Sequence, residues 1–389
     1  MWEPRKKFCV IVPAHNEEMM LPNTLRGLIA AGARAEDIYL VDDGSTDNTG
    51  DIGREFGVNV LRNDPNIGKA LGIERAFEVF NLTNQYDYVA LMDADTLVDV
   101  DYFTWMLKSF DDPWVVAACG RPISIRYNWL TAYRALCYAN GHYIYRKAQG
   151  KLGMVCIAPG CSSMYRTSVF KQLDWKGGTV SEDMDVTIQI HHERLGKIAY
   201  VVDAKVYTQT PRTLNDYMKQ MLRWYTGTWQ VIDKRKIYWG TKRVDWECKL
   251  LWTEGILTAF WRFAMPIMAL MLPFIAHRLS WLADLNVFGH QFHLISQKTL
   301  DYYVTLGTPW YSGLLAFGAL TVGSYAISLP TTILFAWLER RWDIILYSPT
   351  YPFIWYVDVL YFLKGFWRAI IRKGTVKWES PKRYVEKTA

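Results

Sequence analysis

The chain has 389 residues, 51% of them hydrophobic and 15% aromatic, with 18 Trp and a formal charge of +6. That length allows about two domains at ~150 residues each, and so small and scattered a charge argues against nucleic acid as a partner. The 6 Cys form no CxxC pair and no metal-ligand spacing, and read as free thiols in a reducing compartment.

In chain order, Phe8 to Val12 reads as a short apolar strand. It runs into the polar loop Pro13-Ala14-His15-Asn16-Glu17-Glu18 and a helical pattern to about Ala31. Ile38 to Val41 is a second strand, ending in Asp42-Asp43-Gly44-Ser45-Thr46-Asp47. Val58 to Leu61 is a third, and Asn66-Ile67-Gly68-Lys69 opens the next helix. Tyr88 to Met92 is a fourth strand that delivers Asp93 and Asp95. Side chains two apart on a strand point the same way, so this pair of hard oxygen donors suits Mg²⁺ or Mn²⁺ completed by substrate phosphates. Strands alternating with helices indicate a mostly parallel sheet, in which ligands sit at the C-terminal strand edge. Neither GxGxxG nor GxxxxGK[ST] occurs, so the pattern is neither a dinucleotide fold nor a P-loop.

Further on, Met154 to Ala158 leads to Pro159-Gly160-Cys161-Ser162-Ser163, a turn opening a helix. Thr179-Val180 leads to Ser181-Glu182-Asp183-Met184-Asp185, another loop-to-helix junction, where acids also suit the first helical turn. Ile198 to Val202 is a late strand. From Leu214 to Ile232 one helical face carries Leu214, Met218, Met221, Leu222, Tyr225, Trp229 and Ile232, flanked by Lys219, Arg223 and Lys234. That stripe fits a helix lying in a membrane interface or one packed on the preceding domain. Apolar segments at Ile256 to Ala276, Tyr311 to Leu338 and Ile344 to Phe366 are long enough to cross ~30 Å of hydrocarbon. Three crossings would place the basic tail outside, against the positive-inside tendency. Two crossings plus one embedded, non-spanning segment are therefore expected, with Arg262 and Asp358 facing a wet, protein-lined path. The amino terminus lacks the apolar core of a signal peptide, so the first domain is expected to stay in the cytoplasm.

The ordered series VPAHNEE, VDDGSTD, NIGKA, DAD, SED and QMLRW, spread over Pro13 to Trp224, resembles the processive family 2 glycosyltransferases. These are the membrane synthases of cellulose, chitin, hyaluronan and poly-N-acetylglucosamine. The tail around Trp378-Glu379-Ser380-Pro381-Lys382-Arg383 is similar to the carboxyl end of the poly-N-acetylglucosamine synthases. The resemblance implies an α/β GT-A fold and inverting transfer from a UDP-sugar. It divides the chain into a cytoplasmic catalytic domain over 1–212, an interfacial helix region over 213–249, and membrane helices with a basic tail over 250–389. By position, Pro13, Asn16, Glu17, Asp42 and Asp43 would hold the nucleoside. Lys69 would approach the diphosphate, and Asp95 helped by Asp93 would bind Mg²⁺ or Mn²⁺. Asp183 would be the general base. Glu182, Gln220, Arg223, Trp224, Gly160 and Ser162 would contact diphosphate or acceptor, and Trp378, Lys382 and Arg383 would gate the site. The implied partners are the UDP-sugar, a growing glycan or lipid acceptor, and membrane lipid. A single-addition enzyme making a glycolipid is the alternative, and a nucleotide-sugar-binding subunit without activity is a third reading.

Overall fold

The structure is a computed structural model that describes residues 6–176, 178–278, 285–287, 290–292 and 309–374. Strand β1 (Phe8–Ala14) shows why the sheet is central. Val10 and Val12 point into one apolar layer and Cys9 and Ile11 into the other, and all four are fully buried. A strand apolar on both faces needs helices on both sides, which is the requirement of a parallel α/β sheet. β2 (Ile38–Asp43) and β4 (Tyr88–Leu91) flank β1 in parallel, and β3 (Asn59–Asn63) lies parallel outside β2. Helix α1 (Leu21–Ala30) covers one face through Leu21, Leu25 and Leu28. A short α2 (Thr49–Glu55) follows β2, and α3 (Lys69–Val79) covers the other face through Ile73, Ala76 and Phe77.

The second half of the sheet departs from the mostly parallel expectation. β5 (Thr96–Val98), β6 (Val115–Ser124), β7 (Ser163–Arg166) and β8 (Lys197–Thr208) extend it in the order β3-β2-β1-β4-β7-β6-β8-β5. β7 runs antiparallel to both β4 and β6, and β5 antiparallel to β8. The sheet is therefore mixed. The turn after Ala158 opens strand β7 rather than a helix.

Between the strands lie α4 (Tyr102–Ser109), α5 (Trp129–Asn140), α6 (Lys147–Leu152), α7 (Thr167–Phe170) and α8 (Glu182–His192). They are followed by α9 (Leu214–Lys234), α10 (Arg243–Arg278), α11 (Pro309–Leu338), α12 (Asp343–Tyr347) and α13 (Tyr351–Phe366). The apolar stripe of α9 meets protein. Tyr217 and Met221 join α5, α12 and α13, while Trp229 and Ile232 join α8, α10 and α13. Trp229 is enclosed by Trp252, Phe366 and Phe362 with ring centres 4.8, 4.9 and 5.5 Å away. A Cβ on Gly227 would sit 2.2 Å from Ser181 Oγ, so only glycine lets α9 approach the loop before α8 so closely. Large exposed aromatic residues are concentrated beyond α9, with Trp239 85% exposed and Trp246, Phe260, Trp261, Trp337 and Trp342 also outward, although Trp105, Trp114 and Tyr127 are exposed on the preceding domain.

Among the described residues one segment, Phe317–Leu338 within α11, is long and apolar enough to cross a bilayer. The Ile256–Ala276 segment lies inside α10, and the Ile344–Phe366 segment is divided among α12, a 3-10 turn and α13. The expected pair of crossings is therefore not matched within this part of the chain. The end of α11 is tied to the sheet: Arg121 Nη1 on β6 donates to Glu339 Oε1 at 2.5 Å, with both side chains about nine-tenths buried, and to Tyr143 OH at 2.8 Å. Removing one partner of a buried ion pair leaves a charge without compensation. Glu339→Ala should therefore lower stability by about 3 kcal/mol, read as a reduced Tm in thermal melts of the detergent-purified chain.

Candidate active site

Because β1, β2 and β4 are parallel and in register, the segments after them emerge at one edge of the sheet. Asn16, in the left-handed region at φ 56°, accepts from Thr46 N at 2.8 Å, and its own N–H donates to Ser45 Oγ at 3.0 Å. Glu17 is buried, with its N–H on Thr49 Oγ1 at 2.8 Å, and Pro13 is half-buried at the end of β1. The two acids of β2 have different surroundings. Asp42 is fully buried, accepting from Arg62 Nη1 at 2.9 Å and Ser45 N at 3.0 Å. It organises the turn and presents no surface to a ligand. Asp43 accepts from Asn63 Nδ2 at 2.9 Å, Ile67 N at 3.0 Å and Gly68 N at 2.8 Å, so it fixes the turn that launches α3.

That turn aims Lys69, the first residue of α3, across the edge. Its Nζ donates to Asp93 Oδ1 at 2.8 Å and lies 3.0 Å from Glu182 Oε1. Burial opposes its charge, but Asp93 and Glu182 outweigh that and hold the ammonium above its ordinary value. A Cβ on Gly160 would sit 2.9 Å from Lys69 Nζ, so the glycine clears the path of the lysine. Asp93 and Asp95 are not on a strand end. β4 stops at Leu91 and both acids occupy the turn before β5, closed by Thr96 N on Asp93 O at 3.1 Å, so strand alternation does not orient them. Asp95 is buried to 7% exposure.

Asp183, in the first turn of α8, accepts from Met184 N at 2.8 Å and weakly from Gly160 N at 3.4 Å. Burial and the adjacent Glu182 charge push its carboxyl up to about 6, against the opposing pull of Lys69 and these two N–H groups. Asp185 is held by Lys234 at 2.7 Å and Arg235 at 2.5 Å and serves as a strut between α8 and α9. Ser162 is not part of the cluster. Its hydroxyl is buried against Tyr102 OH at 3.1 Å, inside the core. His191 and His192 bond to Val155 O and Asp245 and bind nothing in common.

From α9, Gln220 presents a buried Oε1 with no hydrogen-bond partner among the described residues, Arg223 is half-buried, and Trp224 packs on Arg134. The α5 residues Tyr133, Arg134 and Tyr138 were not singled out from the sequence. Nor was the pairing of Asp358 with Tyr133 at 2.5 Å and with the Tyr217 hydroxyl, which links α13 to α5 and α9. The expected gating residues Trp378, Lys382 and Arg383 lie outside the described residues.

Four separate loops thus converge. Lys69 joins Asp93 of the β4–β5 turn to Glu182 of α8, and Cys161 lies within electrostatic reach of Asp93, Lys69, Asp95 and Asp183. Among the described residues no three His, Cys, Asp or Glu side chains gather as a self-contained metal site. The Asp93–Asp95 turn instead offers a small set of hard oxygens in a position already shared with one cation, the Lys69 ammonium. That chemistry fits a divalent ion whose shell is completed by phosphates.

Comparison with known proteins adds to this geometry. Residues 4–227 match the family described as "Glycosyltransferase like family 2". The poly-beta-1,6-N-acetyl-D-glucosamine synthase of Staphylococcus aureus (strain COL) is 26% identical over 258 residues, 64% of this chain and 61% of the relative. The chain therefore spans about three fifths of that protein's length in the match. The synthase of the same description from Staphylococcus epidermidis is 24% identical over 389 residues, 96% of this chain and 86% of the relative. A mannosyltransferase from Pyrobaculum calidifontis, solved in complex with GDP-Man and Mn²⁺, superposes with a TM-score of 0.51 at 19% identity, covering 89% of this chain and 87% of its own. At that identity the likeness speaks to the fold alone.

Proposed function

The chain belongs to the family 2 glycosyltransferases, and from that premise we propose that it is a membrane-bound, inverting polysaccharide synthase. Its donor on this reading is a UDP-sugar, with UDP-N-acetylglucosamine the leading candidate. The observation that carries the reading is the convergence at Lys69, which ties the Asp93–Asp95 turn to the Glu182–Asp183 helix start. Donor-side and acceptor-side groups then share one edge. The two staphylococcal relatives are poly-beta-1,6-N-acetyl-D-glucosamine synthases, which supports this choice of polymer and sugar.

The loop after β1 and the turn organised by Asp43 would cradle the nucleoside. Lys69 would exchange its carboxylate partners for the diphosphate, and Gln220 and Arg223 would contact it from α9. Asp95 and Asp93 would hold Mg²⁺ or Mn²⁺, which when bound neutralises charge building on the leaving diphosphate. Asp183 would take the proton of the acceptor hydroxyl as that oxygen bonds to the anomeric carbon and the sugar–phosphate bond breaks. One base without a paired nucleophilic carboxylate suits a single displacement with inversion, unlike the two-carboxylate scheme of retaining hydrolases. The outward aromatic residues around Trp239 and Trp246 suit a lipid headgroup region.

The test is incubation of the purified membrane fraction with radiolabelled UDP-sugars and Mn²⁺ or Mg²⁺, followed by product sizing. A ladder of long chains supports the proposal. A single chloroform-soluble glycolipid would replace polymerisation by one addition, and no incorporation from any donor by folded protein would remove it.

A pH dependence follows. With Asp183 near 6 in the free enzyme, the base is protonated below that value and ionised above it. The ratio kcat/KM should therefore be flat above about pH 7 and fall about tenfold per pH unit well below 6. A profile unchanged down to pH 4.5 would contradict Asp183 as the base.

A further inference from the structure

Arg134 stands on α5, outside every motif that defines the donor site. It is 5% exposed, and its Nε and Nη2 are buried with no hydrogen-bond partner among the described residues. Among the described residues no carboxylate lies within the 4.0 Å ion-pair distance of its guanidinium. The nearby carboxylate of Asp358 is taken up by the hydroxyls of Tyr133 and Tyr217. An arginine cannot shed its proton in a protein, and an unpaired buried charge is costly. What meets this charge is a set of aromatic faces. The guanidinium carbon lies 4.9 Å from the Trp224 ring centre, 4.9 Å from that of Tyr138 and 5.7 Å from that of Tyr217. A cation–π contact strengthens when it is desolvated, so swinging the indole away would leave the charge with fewer partners. The orientation of Trp224 is therefore coupled to Arg134.

The same helix also reaches toward the reacting groups. Tyr138, which stacks under the Arg134 guanidinium, lies within electrostatic reach of Cys161, and Cys161 within reach of Asp93, Asp95 and Asp183. Trp224 is half-buried, which leaves part of the indole accessible, and an aromatic face is a common platform for the apolar face of a pyranose.

We propose that Arg134 is a positioning residue for the acceptor: it holds the Trp224 indole in the orientation against which the terminal sugar of the acceptor stacks. It acts through the ring, since its own free nitrogens are closed off from solvent. This rests on the glycosyltransferase reading of the same site.

The experiment uses the full-length chain in detergent, the UDP-sugar the wild type accepts and a soluble oligosaccharide primer. R134M is expected to raise the KM for primer about tenfold, with kcat changed far less and calorimetric UDP affinity unchanged. R134K, which keeps a cation over the ring, should recover part of that loss. In a double-mutant cycle, R134M placed on W224A should add nothing further, because the two act as a unit. An unchanged primer KM in R134M, or full additivity with W224A, overturns the inference while leaving the donor chemistry intact. If R134M does not fold, the cycle is run with R134K, and additivity there overturns the inference equally. A wild-type protein that transfers no sugar would overturn the functional reading and this inference together.

Discussion

Asp183→Asn is expected to reduce sugar transfer by about 10²–10⁴-fold, the span general-base removal commonly costs, while UDP affinity stays at the wild-type level. The amide keeps the size of the carboxyl, and its one oxygen can still accept from Met184 N, while the long 3.4 Å contact of Gly160 N to the other oxygen is given up. What it loses is the capacity to take a proton. Lys69 retains its contacts to Asp93 and Glu182, so the donor side of the edge is preserved. Radiolabel incorporation reads the first quantity and calorimetry with UDP the second. Parallel loss of both would mean that Asp183 organises the whole edge.

Asp95→Ala should have the opposite signature, weakening the metal-dependent component of nucleotide binding. Loss of a group that only supports a metal ligand typically costs about 10–100-fold in metal affinity or activity, and loss of a direct ligand should cost at least that much. The diagnostic comparison is with chelator. Wild-type affinity for UDP should drop to the variant's level when EDTA is added, and the variant's affinity should not respond. Equal chelator sensitivity in the two proteins would assign the metal elsewhere. Asp93→Ala is the less clean probe, because it also frees Lys69 from one of its two carboxylates.

The first half of the fold was legible because its strands are short apolar runs punctuated by polar loops, and a strand buried on both faces has little room to be misread. The acids and Lys69 were legible as ordered motifs, and the structure gathers them at one edge. The antiparallel half was hidden for local reasons. β6 reads VVAACGRPIS, with Gly120, Arg121 and Pro122 in its interior, residues that signal a break. The strand tolerates them through a register irregularity between Cys119 and Arg121, and Arg121 finds its counter-charge 218 positions away at Glu339. No sequence window contains that pairing. The ion pair of Asp42 was hidden for the same reason, since its arginine partner Arg62 comes from β3, 20 positions on. The α9 stripe had two readings because apolar periodicity records that a face is covered and not what covers it. In this fold α5, α8, α10 and α13 cover it.

The three-way grip of Asp43 bears on how variants at this edge are interpreted. Its carboxylate clips the amides of Ile67 and Gly68, and those amides set where Lys69 begins. A substitution meant to interrogate base recognition at Asp43 would also unlatch Lys69, the lysine proposed to meet the diphosphate. A genetic screen would thus score two separable defects as one lesion, and only a suppressor that re-anchors the Ile67–Gly68 turn by other means would disentangle them.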